Sequence, residues 1–185
     1  MLDSMPKPQA DDRWKTRSGR PVTIRPIRGD DEERMRRFHR SLSPASVYTR
    51  YFNVLKLSQR IAHQRLDRVC HPVTNNETVL VVEAAELNDS QSQIIGVGRL
   101  SAAAGNRTGE LAIIVSDANQ RQGIGTELMH RLFDAAKQRK LRHISADILC
   151  ANLAMQRLCL QAGMRFVERP GADEVTAELD LPDDY

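Results

Sequence analysis

The sequence lacks most of the features that would mark a membrane, secreted or metal-dependent protein. No stretch approaches the roughly 20 apolar residues that a spanning helix needs, and the N-terminus lacks the apolar centre of a signal peptide. The expectation is a cytoplasmic protein with no membrane partner. Cysteine is scarce: Cys70, Cys150 and Cys159 are odd in number and form no C-x-x-C, so neither a disulfide framework nor a zinc site is suggested. All three are expected as buried thiols, and no metal is expected. Aromatics make up only 4% of the chain, and its basic residues are not interleaved with them, which argues against a nucleic-acid surface. Repeats and low-complexity linkers are absent too.

What is present is the composition of an ordinary globular chain. Its 185 residues, 41% hydrophobic and 28% charged, suffice for one domain with one sizeable core. Residues 1–20 are polar and proline-containing with Trp14 as their only aromatic, so they are expected as a flexible leader to a single domain over 21–185. The net charge of +3 is unevenly laid out: residues 28–70 hold ten Lys/Arg against five Asp/Glu, and residues 168–185 one Arg against seven. Such a basic segment suits nucleic acid, an acidic protein surface or phosphates, but a solvated helix face is the preferred reading.

Residues 22–27 alternate as a first strand, with Pro26 marking an edge or an end. Asp30 or Asp31 is expected to cap a helix carrying Met35, Phe38 and Leu42 on one face, and Ser43-Pro44 opens a shorter one with Val47, Tyr48, Tyr51 and Phe52. Ser58 is read as the cap of a third helix that turns Ile61, Ala62, Leu66 and Val69 inward. The period then changes, and residues 78–82 and 94–100 read as strands joined by a turn at Asn88-Asp89-Ser90. Residues 111–115 form an unbroken apolar strand, followed by a helix whose Ile124, Leu128, Leu132, Ala135 and Ala136 recur at three-to-four spacing. A strand over 144–149, a helix over 153–162 and strands around Val167 and 175–181 complete the chain. This order predicts an α/β protein, a mixed sheet with helices on both faces.

Between the apolar strand and its helix lies Gln120-Arg121-Gln122-Gly123-Ile124-Gly125, followed by Thr126. A turn of this kind leaves backbone N–H groups pointing outward at the positive end of a helix, where phosphate oxygens bind. Gly123 and Gly125 carry no Cβ to hold a diphosphate away, although two glycines equally suit a plain tight turn. A dinucleotide fingerprint would need glycine at Leu128, and the Gly-Lys-Ser/Thr of a P-loop is absent.

The run Q-R-Q-G-I-G after an apolar strand resembles the Q/R-x-x-G-x-G/A loop of the GNAT superfamily of acyl-CoA-dependent N-acyltransferases. Asn152, Met155, Cys159 and Gly163-Met164 keep the spacing of that superfamily's N-x-x-A-x-x-x-Y-x-x-x-G-F helix. R-P-I-R-G-D-D-E, S-V-Y-T-R-Y-F-N-V-L-K-L-S-Q-R-I-A-H and G-E-L-A-I-I-V-S-D look like the GNAT domains of bacterial protein-lysine acetyltransferases that switch off acyl-CoA synthetases. The resemblance implies a central, mostly antiparallel mixed sheet flanked by helices and acetyl-CoA as acyl donor. It also implies a protein-lysine acceptor, such as an acyl-CoA synthetase. In those relatives the coenzyme lies on residues 120–126 and near Asn152, and backbone N–H groups around Ile113, Ile114 and Val115 hold the thioester carbonyl.

A lysine of pKa near 10.4 is neutral in roughly one molecule in a few thousand at pH 7, so acetyl transfer requires a base. Glu110, entering the apolar strand, is the candidate, and burial there is expected to raise its pKa toward the useful range. Glu83 and Asp147, also in apolar strands, are reserves, whereas His71 and His143 read as polar edges. The tyrosine that usually protonates the departing thiolate is replaced by Cys159, which falls on the packing stripe of its helix. Asn152 reads as an N-cap, a coenzyme contact or both. Two alternatives to a protein lysine stand beside this reading, a small-molecule amine acetyltransferase and a non-catalytic acetyl-CoA sensor. An open groove would fit a protein loop, and a closed acidic pocket a polyamine.

Overall fold

Strands and helices make up the computed structural model, which describes residues 12–72, 76–85, 92–102, 105, 107–168 and 171–182. In chain order they are β1 (Asp12–Lys15), β2 (Pro21–Pro26), α1 (Glu32–Ser41), α2 (Pro44–Tyr51), α3 (Leu57–Arg60) and α4 (His63–Cys70). There follow β3 (Glu77–Ala84), β4 (Gln93–Ala102), β5 (Thr108–Val115), α5 (Ile124–Gln138), β6 (His143–Leu149), α6 (Leu153–Gln161), β7 (Arg165–Glu168) and β8 (Glu174–Asp180). The strands form one eight-stranded sheet in the order β1-β2-β3-β4-β5-β6-β8-β7. Every neighbouring pair is antiparallel except β5 and β6.

Each face of the sheet carries its own core. On one side Ile124, Leu128, Met129, Leu132 and Ala136 of α5 pack with Leu80, Val82, Leu111, Ile144 and Ala146, and Cys159 of α6 joins them. On the other, Met35, Phe38, Val47, Leu66 and Cys70 from α1, α2 and α4 cover Val79, Val81, Val97 and Ile114. Burying one such aliphatic side chain contributes roughly 1.5–3 kcal/mol, so the two apolar stripes hold the helices in place. Strand alternation assigns residues to faces: Leu111 belongs to the α5 side and Ile114 to the α1 side.

Several expectations need correction. The leader does not extend to residue 20, because Asp12–Lys15 pair with β2 and Trp14 packs against the α5 core; residues 1–11 lie outside the described residues. The Asn88-Asp89-Ser90 turn also lies outside them. Pro26 does end β2, but that strand is flanked on both sides. The third helix is two helices broken at Ile61 and Ala62; Ser58 lies inside α3, whose N-cap is Lys56, and Ala62 is exposed. Asp31 occupies the N-cap position of α1 without capping it, since its buried carboxylate takes two hydrogen bonds from Arg25 at 2.7 and 2.8 Å and one from the Arg28 N–H at 2.8 Å. Cys70 and Cys159 are buried, but Cys150 is exposed.

Candidate active site

β5 and β6 are paired only where Thr108, Gly109 and Glu110 lie opposite His143, Ile144 and Ser145. Beyond Glu110 the strands part, leaving the β6-facing edge of β5 open. The Ser116 N–H donates to the Ile95 carbonyl on the β4 side. Antiparallel alternation therefore directs the N–H groups of Ile113 and Val115 the other way, into the opening, while that of Ile114 points to β4. The Gln120 side-chain amide donates to the Val115 carbonyl at 3.2 Å, tying the strand's end to the turn that follows.

That turn carries the backbone groups predicted for phosphate binding. Among the described residues, no backbone or side-chain acceptor takes the N–H groups of Arg121, Gln122, Gly123, Ile124, Gly125 or Thr126. Gln120's N–H makes only a long contact, 3.4 Å, to the Asp117 carbonyl. The turn is held instead through its acceptors: the Gln122 carbonyl takes the Arg17 N–H at 2.9 Å and its side-chain oxygen the Ser18 N–H at 3.2 Å. Unpaired donors thus gather at the N-terminus of a 15-residue helix, the arrangement that favours an anion.

The glycines serve the protein as well. Gly123 has φ +83°, a left-handed conformation, and a Cβ on it would lie 3.3 Å from Trp14. A Cβ on Gly125 would lie 3.3 Å from Leu158 of α6, so the second glycine lets two helices approach. The tight-turn reading of the glycines therefore holds, and the free N–H groups are what single out the turn.

Glu110 sits where β5 and β6 begin to part, on the face of β5 that also presents Ala112 and Ile114. It is exposed, so the burial expected of it is not what the strand provides. Glu83 is tied up: it accepts from Arg25 at 3.0 Å, from Arg34 at 2.9 Å and from Ser92. Burial draws its carboxyl up, but these hydrogen bonds and the charges of Arg25 and Arg34 prevail and hold it at about 2, too acidic for a base. Asp147 is exposed and accepts from the Thr176 hydroxyl at 2.7 Å. His71 pairs with Asp67 at 3.0 Å and His143 with Asp180 at 2.8 Å, both on the surface side of their elements. Burial pushes the Cys159 thiol up to about 12 within the core. Asn152 caps α6, accepting from the Met155 N–H at 3.1 Å.

Two sets of residues escaped the sequence reading. Asp117 clasps the start of α2, accepting from the Ser43 N–H at 2.9 Å, the Ser43 hydroxyl at 2.7 Å and the Ser46 hydroxyl at 2.8 Å; Gln120 donates to the Ser46 hydroxyl at 3.3 Å. The S-D-A-N run following an apolar strand was the only signal for it. Behind this clasp, a cavity of about 60 Å³ lies between α1, α2, α4 and the sheet, lined among others by His39, Arg50, Tyr51, Arg65, Arg99 and Ala112. The basic segment is therefore not wholly a solvated face. Its inward members line a small basic cavity, the opposite of the acidic pocket a polyamine would need.

The acetyltransferase (GNAT) domain family matches residues 22–165. A Pseudomonas aeruginosa protein named as an acetyltransferase is 31% identical over 158 residues, 85% of this chain and 81% of its own. The crystal structure of the GNAT domain of S. lividans PAT superposes with a TM-score of 0.82 at 25% identity, covering 96% of this chain and 100% of that one. Mycobacterium smegmatis RimJ, solved in complex with CoA-disulfide, shares the fold at a TM-score of 0.69 and 15% identity over 94% of this chain and 88% of its own. With the family spanning both cores, the parted strands and the turn of free amides, the chain belongs to the GNAT acetyltransferases.

Proposed function

We propose that the chain transfers acetyl from acetyl-CoA to the ε-amine of a protein lysine, with Glu110 as general base. Acetyl-CoA is the donor used by the family. The observation that carries the reading is the row of free N–H groups at residues 121–126, which suits the coenzyme's diphosphate; a coenzyme held there would send its sulfur end toward the opening between β5 and β6. At the head of that opening the exposed Glu110 can take a proton from the lysine ammonium, directly or through water. The freed nitrogen bonds to the thioester carbonyl carbon and releases its second proton to water, the carbon–sulfur bond breaks, and the thiolate leaves to be protonated by water. Cys159, buried with its thiol near 12, is no donor for that step. The N–H groups of Ile113 and Val115 can steady the carbonyl oxygen as charge builds on it.

The exposed position of Glu110 favours a side chain presented from a protein surface over an amine enclosed in a pocket. The likeness to the PAT domain points the same way, and an acyl-CoA synthetase is the first acceptor to try. Glu110→Gln should lower kcat by roughly a hundredfold or more while leaving the Kd for acetyl-CoA unchanged. Turnover that survives the substitution would remove Glu110 from the mechanism, and a native protein that binds acetyl-CoA but acetylates nothing would favour a sensor.

A further inference from the structure

Resting on the acetyl-transfer reading, we propose that the cavity beneath α1, α2 and α4 receives a carboxylate carried by the acceptor, alongside the amine that Glu110 deprotonates. The cavity's charge is unbalanced. Arg50 and Arg65 share an aromatic partner, with guanidinium carbons 5.0 and 4.8 Å from the Tyr51 ring centre, and Arg99 joins them at the cavity wall. Arg99 has Glu77 as its ion-pair partner. Among the described residues, neither Arg50 nor Arg65 has a carboxylate within ion-pair distance; the charge of Glu110 reaches Arg50 without pairing with it.

Two further polar atoms in the same wall are left open. The Nδ1 of His39, a residue 2% exposed, and the Nε of Arg99 are buried without a hydrogen-bond partner. Buried donors and cations without partners are costly, and an arriving anion would satisfy several of them together. Burial and the neighbouring Arg65, Arg60 and Arg50 push His39 down to about 4, so its imidazole is neutral at physiological pH and serves as a hydrogen-bonding group. About 60 Å³ admits a carboxylate head and a methylene or two, but nothing of coenzyme size.

The cavity adjoins the base. Ala112 lines it, and Glu110 stands two residues away on the same face of β5, about 7 Å along the strand. A carboxylate bonded next to its own α-amine cannot span that distance with both groups engaged, whereas an acidic residue flanking a lysine can. The spacing therefore favours an acidic neighbour in a peptide over a free amino acid, and the guanidiniums of Arg50 and Arg65 disfavour a polyamine.

The test has a kinetic arm and a binding arm, both on the full chain. In the first, acetylation is followed for a lysine peptide with a flanking Glu, its Gln isostere and free glutamate. The Glu peptide should exceed the Gln peptide in kcat/KM by roughly tenfold, mainly through KM, and Arg65→Gln or Arg50→Gln should erase the difference without changing the Kd for acetyl-CoA. Carboxylate-dependent acetylation of glutamate instead of the peptide would keep the site and identify a small-molecule source. Equal rates for Glu and Gln peptides would overturn the proposal.

In the second arm, propionate and its neutral isostere propionamide are titrated at constant ionic strength while the His39 ring is observed by NMR. A saturable shift with propionate alone, lost in Arg65→Gln and partly kept in Arg65→Lys, is expected. Equal responses to both probes, or none, would overturn the anion site. If no acceptor is acetylated while propionate binds as described, the transfer reading fails and the site stands; acetylation blind to charge with an unmoved His39 is the reverse.

Discussion

His39 shows how one buried residue can govern the response to pH. Burial, then Arg65, Arg60 and Arg50, lowers its pKa from 6.5 to about 4, so the unfolded chain accepts a proton that the folded chain refuses. Its contribution is fully present above the unfolded value and is lost as pH falls from about 6.5 toward 4, by about 3 kcal/mol when complete. Urea midpoints measured between pH 7 and 4 should fall more steeply for the native chain than for His39→Gln, and parallel slopes would contradict a buried neutral imidazole. Glu83 acts in a lower window, because its stabilising ionised form persists until pH falls from about 4.5 toward 2. Neither behaviour was legible from residue type. Glu83 and Glu110 both enter apolar strands, yet one is held by two arginines and the other is exposed. Alternation told which face each occupies, but not how far the covering helices reach or which charges meet there.

Elements with a strong period were legible. α5 buries Ile124, Leu128, Leu132, Ala135 and Ala136, the stripe read from the sequence, because its three-to-four spacing persists through 15 residues. β1 went unread because D-R-W-K has a single apolar side chain, and an edge strand can be held by backbone pairing to its neighbour. The break between α3 and α4 carries no proline or glycine to announce it. The Asp117 clasp was equally hidden, since it joins residues about seventy positions apart. Asp117→Ala should remove these three bonds to Ser43 and Ser46 and cost about 1–2 kcal/mol, with faster amide exchange at the start of α2. Unaltered exchange there would show that the clasp does not hold the helix.

At the scale of the whole molecule, one sheet separates two tasks. The α5 side supplies the turn with free amides, and the side covered by α1, α2 and α4 supplies the basic cavity, with Glu110 facing it from the point where β5 and β6 part. The two sides meet at Asp117 and Gln120, which bind both the start of α2 and the approach to the turn. Of the basic segment of residues 28–70, Arg50 and Arg65 line that cavity, a grouping that net charge alone conceals.

A crystal structure of the chain with CoA tests the central claim most directly. The account predicts diphosphate oxygens about 3 Å from backbone nitrogens among residues 121–126, with the sulfur in the opening beside Ile113 and Val115 and directed toward Glu110. A diphosphate bound elsewhere, or those nitrogens closed onto protein carbonyls with the coenzyme present, would contradict it.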